Sequence, residues 1–155
     1  LLPGLPVPPM RSLTTYYHGT AEAPADLPLL HLDATGGPLA NTVVLSAAAP
    51  GHSPDSRALV STSVVGPAID EGVVRRALAA VYGRPTERWD HVHTVEVREA
   101  LPAFRPGHPL RREVALGDGM FVAGDHRDTP STQGALVSGR RAATAVLEHL
   151  GVEPG

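Results

Sequence analysis

The sequence predicts an α+β protein: a mixed, mostly antiparallel sheet with one helix, followed by a C-terminal strand and helix. Three observations lead there. Short runs rich in β-branched and aromatic residues, separated by Gly- and Pro-containing turns, mark strands at 12–19, 29–32, 41–46, 57–65 and 89–97. One stretch between the last two of them, 70–82, repeats its apolar residues at helical spacing. The third is the stretch from Gly119 onward, which reads as a short buried strand, a Gly-Asp turn and a long helix whose first turns carry almost no side-chain bulk.

Residues 1–10 are rich in Pro and Leu and form neither helix nor central strand. They read as a linker or a loop. The strand at 12–19 follows, then a loop over 21–28. The strands 29–32 and 41–46 face each other across the turn Gly36-Gly37-Pro38 as a hairpin. Residues 47–56 are a loop of small residues and Pro, and 57–65 is the longest strand, ended by Gly66-Pro67. Asp70 caps the first helix, with Ile69 and Val74 placed as a hydrophobic staple. Val73, Val74, Ala77, Leu78 and Val81 give that helix one apolar face, Gly83 caps its end and Pro85 blocks continuation. The strand 89–97 puts His91, His93, Val95 and Val97 on one side, and 99–112 is a Pro-rich connection. The last helix starts within 128–131, capped by Thr129 or by Ser131, and stops at Gly151. Leu136, Gly139, Ala143, Val146, Leu147 and Leu150 recur on it at helical spacing, leaving Arg140, Arg141 and Glu148 to water.

Composition excludes several classes. The chain has 155 residues and a net charge of −3, with no block of like charge, so it lacks the basic patch of a nucleic-acid binder. Every basic residue other than His is Arg, which with the abundance of Ala, Gly, Pro and Val fits a GC-rich bacterial genome. There is no Cys, so disulfides, thiolate metal sites and Cys nucleophiles are excluded. No apolar run is long enough for a membrane span and no signal peptide is visible, so the expected compartment is the cytoplasm.

The chemistry concentrates in Gly119-Met120-Phe121-Val122-Ala123-Gly124-Asp125 and Thr129-Pro130-Ser131-Thr132-Gln133-Gly134-Ala135-Leu136-Val137-Ser138-Gly139-Arg140-Arg141-Ala142-Ala143. A strand ending in an acid can offer that acid to sugar hydroxyls. A helix start offers free N–H groups and the positive end of its dipole to an electron-rich group. Small residues let the backbone approach closely. This segment resembles the second flavin-contacting motif of the FAD-dependent amine oxidase and phytoene desaturase superfamily, well over residues 119–147 and more loosely back to about Ser12. The resemblance implies that Gly124 and Asp125 lie by the ribityl or phosphate part of FAD. It also implies that backbone N–H groups at Ser131, Thr132, Gln133, Gly134 and Ala135 point at the pyrimidine end of the flavin. Gln133 stands where the amine oxidases more often carry an acid, which weakens an assignment to amine substrates.

Other candidates read as structural. His91 and His93 share a strand face but have no obvious third ligand for a metal. Neighbours in Asp125-His126-Arg127-Asp128 point in different directions, so the run is a cofactor edge or a turn rather than an acid–base pair. Tyr16, Tyr17, His18 and Trp89 read as packing, and no G-x-S-x-G elbow marks a serine hydrolase. No catalytic side chain is identified.

The family's other fingerprint, a G-x-G-x-x-G turn opening a βαβ unit, does not occur in these residues. The chain is therefore expected to be the C-terminal part of a flavin-dependent oxidoreductase: 1–110 a β-rich portion of the substrate domain, 111–155 a strand–helix segment that completes the FAD-binding domain. Its expected partner is the N-terminal half of the same polypeptide, and alone it is expected to be inactive, to lack FAD, and to form a homodimer or otherwise self-associate. The competing reading is a small stand-alone α/β binding or interaction module without catalysis.

Overall fold

The computed structural model describes residues 5–153; Leu1-Leu2-Pro3-Gly4, the start of the expected linker, lies outside the described residues. The chain divides into two compact units. One is Ser12–Ala100; the other joins Leu1–Arg11 to Leu101–Gly155.

The first unit is built on five strands, β1 (Met10–Thr20), β2 (His31–Leu32), β3 (Asn41–Val44), β4 (Ala58–Val65) and β5 (Asp90–Pro102). Their order in the sheet is β2-β3-β4-β1-β5. β1 pairs antiparallel with β4, β4 with β3 and β3 with β2, so the expected hairpin around Gly36-Gly37-Pro38 forms. Strand alternation sets one face inward: Ala58, Val60, Thr62 and Val64 on β4, and Thr14, Tyr16 and His18 on β1. That face packs on α2 (Glu71–Tyr82), which buries Val74 and Leu78 completely. Each of those two side chains contributes about 1.5–3 kcal/mol by leaving water. Leu39, Val44 and Trp89 close the core. Tyr16 is core by its ring, and its hydroxyl bridges the Ile69 backbone, donating to the carbonyl and accepting from the N–H, each at 2.7 Å. This fixes the approach to α2. The expected caps are in place: the Asp70 carboxylate accepts from the Val73 N–H, and Gly83 ends the helix in a left-handed conformation.

Three boundaries differ from expectation. The strand at 41–46 stops at Val44, and Leu45–Ala48 coil into the single helical turn α1. The Ser46 hydroxyl takes the Leu59 N–H at 3.0 Å, the bond a continuing β3 would have used, and two alanines follow to favour helix. The strand at 29–32 shrinks to His31–Leu32, because Pro28 lacks an N–H and the Leu29 N–H is spent on the Leu27 carbonyl. β5 runs on to Pro102, into the stretch expected to be connection, and is exposed along nearly its whole length.

The second unit contains a two-stranded antiparallel ribbon, β6 (Ala115–Gly117) and β7 (Met120–Phe121), and the long helix α3 (Thr132–His149). The expected buried strand over 119–123 is only the two half-buried residues of β7, and Ala123 is exposed. β7 has β6 as its sole strand partner among the described residues, and the chain turns at Gly124. The expected apolar face of α3 is met in part, with Gly139, Val146 and Leu147 half-buried. Leu136 and Leu150 are 70% and 67% exposed and Ala143 is exposed; the fully buried helix residues are Gly134 and Ser138. No described helix is long and apolar enough to cross a membrane.

Candidate functional site

The segment from Gly124 to Arg141 lies within one unit and is held by its own polar groups. Gly124 has φ 150° and ψ 166°, a conformation open to Gly alone, and directs the chain into a short 3₁₀ turn, Asp125–Arg127. Ser138 on α3 pins that glycine. Its buried Oγ accepts from the Gly124 N–H at 3.0 Å, and its proton is within reach of the Gly124 and Ala135 carbonyls at 2.8 and 2.9 Å. Arg141 holds the other side of the loop, donating to the Arg112 carbonyl at 2.6 Å, to Asp128 Oδ2 at 3.2 Å and to the Arg127 carbonyl at 3.3 Å. Arg141 is thus a tie rather than the water-facing residue expected.

The helix start is capped by Ser131, which resolves the choice left open with Thr129. The Ser131 Oγ accepts from the Gly134 N–H at 3.1 Å, and its carbonyl accepts from the Ala135 N–H at 2.9 Å. Thr129 leans over this cap. A Cβ on Gly134 would lie 1.8 Å from the Thr129 carbonyl oxygen, so the glycine is required by a close approach of the chain to itself. Two first-turn donors remain, the N–H groups of Thr132 and Gln133, which meet no acceptor among the described residues. Thr132, Gln133 and Ala135 are exposed; Gly124, Asp125 and Ser131 are half-buried.

The two acids of the turn have separate fates. Asp128 is committed to Arg141 and to the Thr129 N–H at 3.0 Å. The Asp125 carboxylate makes no hydrogen bond within the described residues. His126 between them is held below its ordinary pKa, by burial first and then by the charge of Arg127, so it is neutral near pH 7. No two side chains of 125–128 bond to each other, so the run contains no acid–base pair. What the site offers is one open carboxylate on a fixed turn and two open N–H donors at the positive end of an 18-residue helix. That is a donor and acceptor set for a polar ligand, with no nucleophile in it.

The remaining candidates are structural. Tyr16, His18 and Trp89 are buried at 2%, 0% and 7% exposure. His91 and His93 are exposed, and no three of His, Asp and Glu converge as a metal site among the described residues. Sequence reasoning missed Ser138, Arg127 and Arg141. The signal was present: Ser131, Gly134, Ser138 and Arg141 fall at i, i+3, i+7 and i+10, a single helix face.

A search of the curated proteins gives no match. The family model for flavin containing amine oxidoreductases matches residues 7–147, which takes in the whole of Ser12–Ala100, most of the other unit and the whole of the Gly124–Arg141 segment. A flavin is the cofactor that this family implies, and an unpaired carboxylate together with a helix start that has open donors is a set compatible with one. The chain belongs to the flavin-containing amine oxidoreductase family.

Proposed function

We propose that this chain is the C-terminal part of an FAD-dependent oxidoreductase of the amine oxidase or phytoene desaturase type. Residues 124–135 would form one wall of the cofactor site, and the glycine-rich dinucleotide grip would come from sequence outside these residues. The bound flavin supplies the hydride acceptor for a substrate C–H or N–H bond. This chain's own residues bind and orient. Asp125 accepts from sugar hydroxyls, and the Thr132 and Gln133 N–H groups favour negative charge on the reduced ring because the helix dipole ends there. Gly124, Ser138 and Arg141 hold the turn in place so that these groups need no reorganisation.

The observation that carries the reading is the Asp125 carboxylate, left without a partner on a turn that the rest of the chain takes care to fix. In the flavin-loaded protein, Asp125→Ala is expected to weaken FAD retention by about 1.5–3 kcal/mol, roughly tenfold to a hundredfold, with little change in unfolding. Equilibrium dialysis against FAD measures the first and urea denaturation the second. Unchanged FAD affinity in the variant would sink the assignment. Purified residues 1–155 alone are expected to carry FAD well below stoichiometry, read from the flavin absorbance after release.

A further inference from the structure

Buried polar groups in folded proteins are nearly all hydrogen-bonded, and an exception calls for a reason. Two exceptions in the Ser12–Ala100 unit meet at one cavity. Thr20 is 8% exposed and Trp89 is 7% exposed. The Thr20 hydroxyl and the Trp89 indole N–H have no partner among the described residues, yet neither is sealed from solvent. Both residues line a cavity of about 490 Å³, walled by the chain leaving β1 and the loop between α2 and β5. That loop is fixed. The Thr86 hydroxyl donates to the Arg75 carbonyl at 2.9 Å, and the Arg75 guanidinium donates to the Thr86 carbonyl at 2.8 Å. The same guanidinium donates to the Trp89 carbonyl, and the Arg84 N–H donates to the Ala79 carbonyl at 3.2 Å. A ligand would therefore order little of this wall on binding. The rest of the lining says what would fit. Arg84 and Arg88 bring guanidinium groups, and Glu22 and Glu87 bring carboxylates. None of the four is in an ion pair among the described residues, although both signs border one cavity. An ion of a single sign would be drawn by two of these groups and opposed by the other two. A molecule carrying both signs is drawn by all four. Pro24 and Pro85 add apolar contact.

We propose that this cavity binds a compact zwitterion of about dipeptide size. Arg84, Arg88 and the Trp89 N–H take its carboxylate, and Glu22, Glu87 and the Thr20 oxygen take its ammonium. An apolar side chain between the two charges rests on the prolines. The volume is that of an ordinary small-molecule site. No bond is made or broken there. The site shares no residue with the Gly124–Arg141 segment and does not depend on the flavin reading.

Trp89 is the sole Trp of the chain, so its emission reports on this cavity. The test is a fluorescence titration of the full chain with the dipeptide Ala-Leu, with its N-acetyl form and with its C-terminal amide. Ala-Leu is expected to shift the emission saturably, and each blocked form to bind about tenfold or more weakly, because each lacks one charge. Thr20→Val keeps the shape and removes the hydroxyl, and should weaken Ala-Leu about two- to tenfold. The double variant Arg84→Gln, Arg88→Gln should lose the saturable shift while keeping the urea midpoint, since both side chains are exposed. Glu22→Gln, also exposed, should weaken Ala-Leu and leave the N-acetyl form, which has no ammonium, unchanged. The site is refuted if Ala-Leu gives no saturable change in emission, or if it binds the double Arg variant as it binds the wild type. Blocked forms that bind as tightly as Ala-Leu, or a Glu22→Gln effect of equal size on Ala-Leu and its N-acetyl form, would overturn the zwitterion as the ligand.

Discussion

Two glycines of α3 behave differently because of what surrounds them. Gly134 has the Thr129 carbonyl where its Cβ would go, whereas a Cβ at Gly139 meets nothing within 4 Å. Gly134→Ala is expected to cost about 1–3 kcal/mol by forcing the cap apart. Gly139→Ala is expected to add about 0.5–1 kcal/mol through helix propensity. Urea denaturation of the two variants side by side should show opposite signs; the same sign in both would contradict the geometry. His18 makes a second residue-scale prediction. Burial lowers its pKa from 6.5, helped by Arg75 and His91, and the hydrogen bond to Glu71 at 2.8 Å only partly offsets this. Burial of Glu71 acts to raise its pKa, but hydrogen bonds from Arg75 and His18 outweigh it, and the net is lowered. Both groups therefore hold fewer protons folded than unfolded: the contribution of His18 is present above 6.5 and that of Glu71 above 4.5, and each is lost as pH falls through its own folded-state value. The urea midpoint should drop between about pH 7 and about pH 5, and His18→Gln should flatten that drop. An unaltered slope would show that His18 is not the titrating group. At this scale the sequence was legible for identity and silent on partnership. Asp125 and Asp128 look equivalent in a string, and only the fold shows that one is tied and the other is open.

The element most readable in advance was α2, because its caps and its apolar face are local: Asp70, Ile69, Val74, Leu78 and Gly83 lie within about four turns. Asp70→Ala is expected to cost about 0.5–2 kcal/mol, measured by thermal unfolding, and a neutral result would mean that the cap bond is worth nothing. The strand lengths were less readable. Whether β3 continues past Val44 depends on the Ser46 hydroxyl meeting the Leu59 N–H, a contact thirteen residues away in sequence. The orientation of α3 was misread for a related reason. Periodicity selects the most apolar stripe, but the Gly124–Thr129 loop needs hydrogen bonds and close approach, which Ser138, Arg141 and Gly134 supply and leucine does not. Polar demand set the fully buried positions, and the apolar stripe is only half-buried at Gly139, Val146 and Leu147 and exposed at Leu136, Ala143 and Leu150.

For the molecule as a whole, the exposed apolar surface is its least settled part. β5 is a sheet edge with Val92, Val95 and Val97 at 51%, 38% and 44% exposure, and α3 exposes Leu136. Long exposed edges pair readily with other chains. The isolated chain is expected to self-associate, with the sedimentation coefficient rising with concentration, and Val95→Lys is expected to reduce that rise. A concentration-independent monomer that binds no hydrophobic dye would count against this. The division into units has a consequence of a different kind. Ser12–Ala100 is one uninterrupted stretch, whereas the other unit is assembled from both sides of it. During synthesis the sheet unit is complete as soon as Ala100 leaves the ribosome, while Pro9 waits for a partner not yet translated. The Ala103 N–H that bonds the Pro9 carbonyl at 2.7 Å emerges more than ninety residues later. At about 5–20 residues per second, the Pro9 carbonyl waits on the order of 5–20 s for that N–H. Translation speed over residues 10–103 therefore sets how long the segment around Pro9 stays without the bond that fixes it.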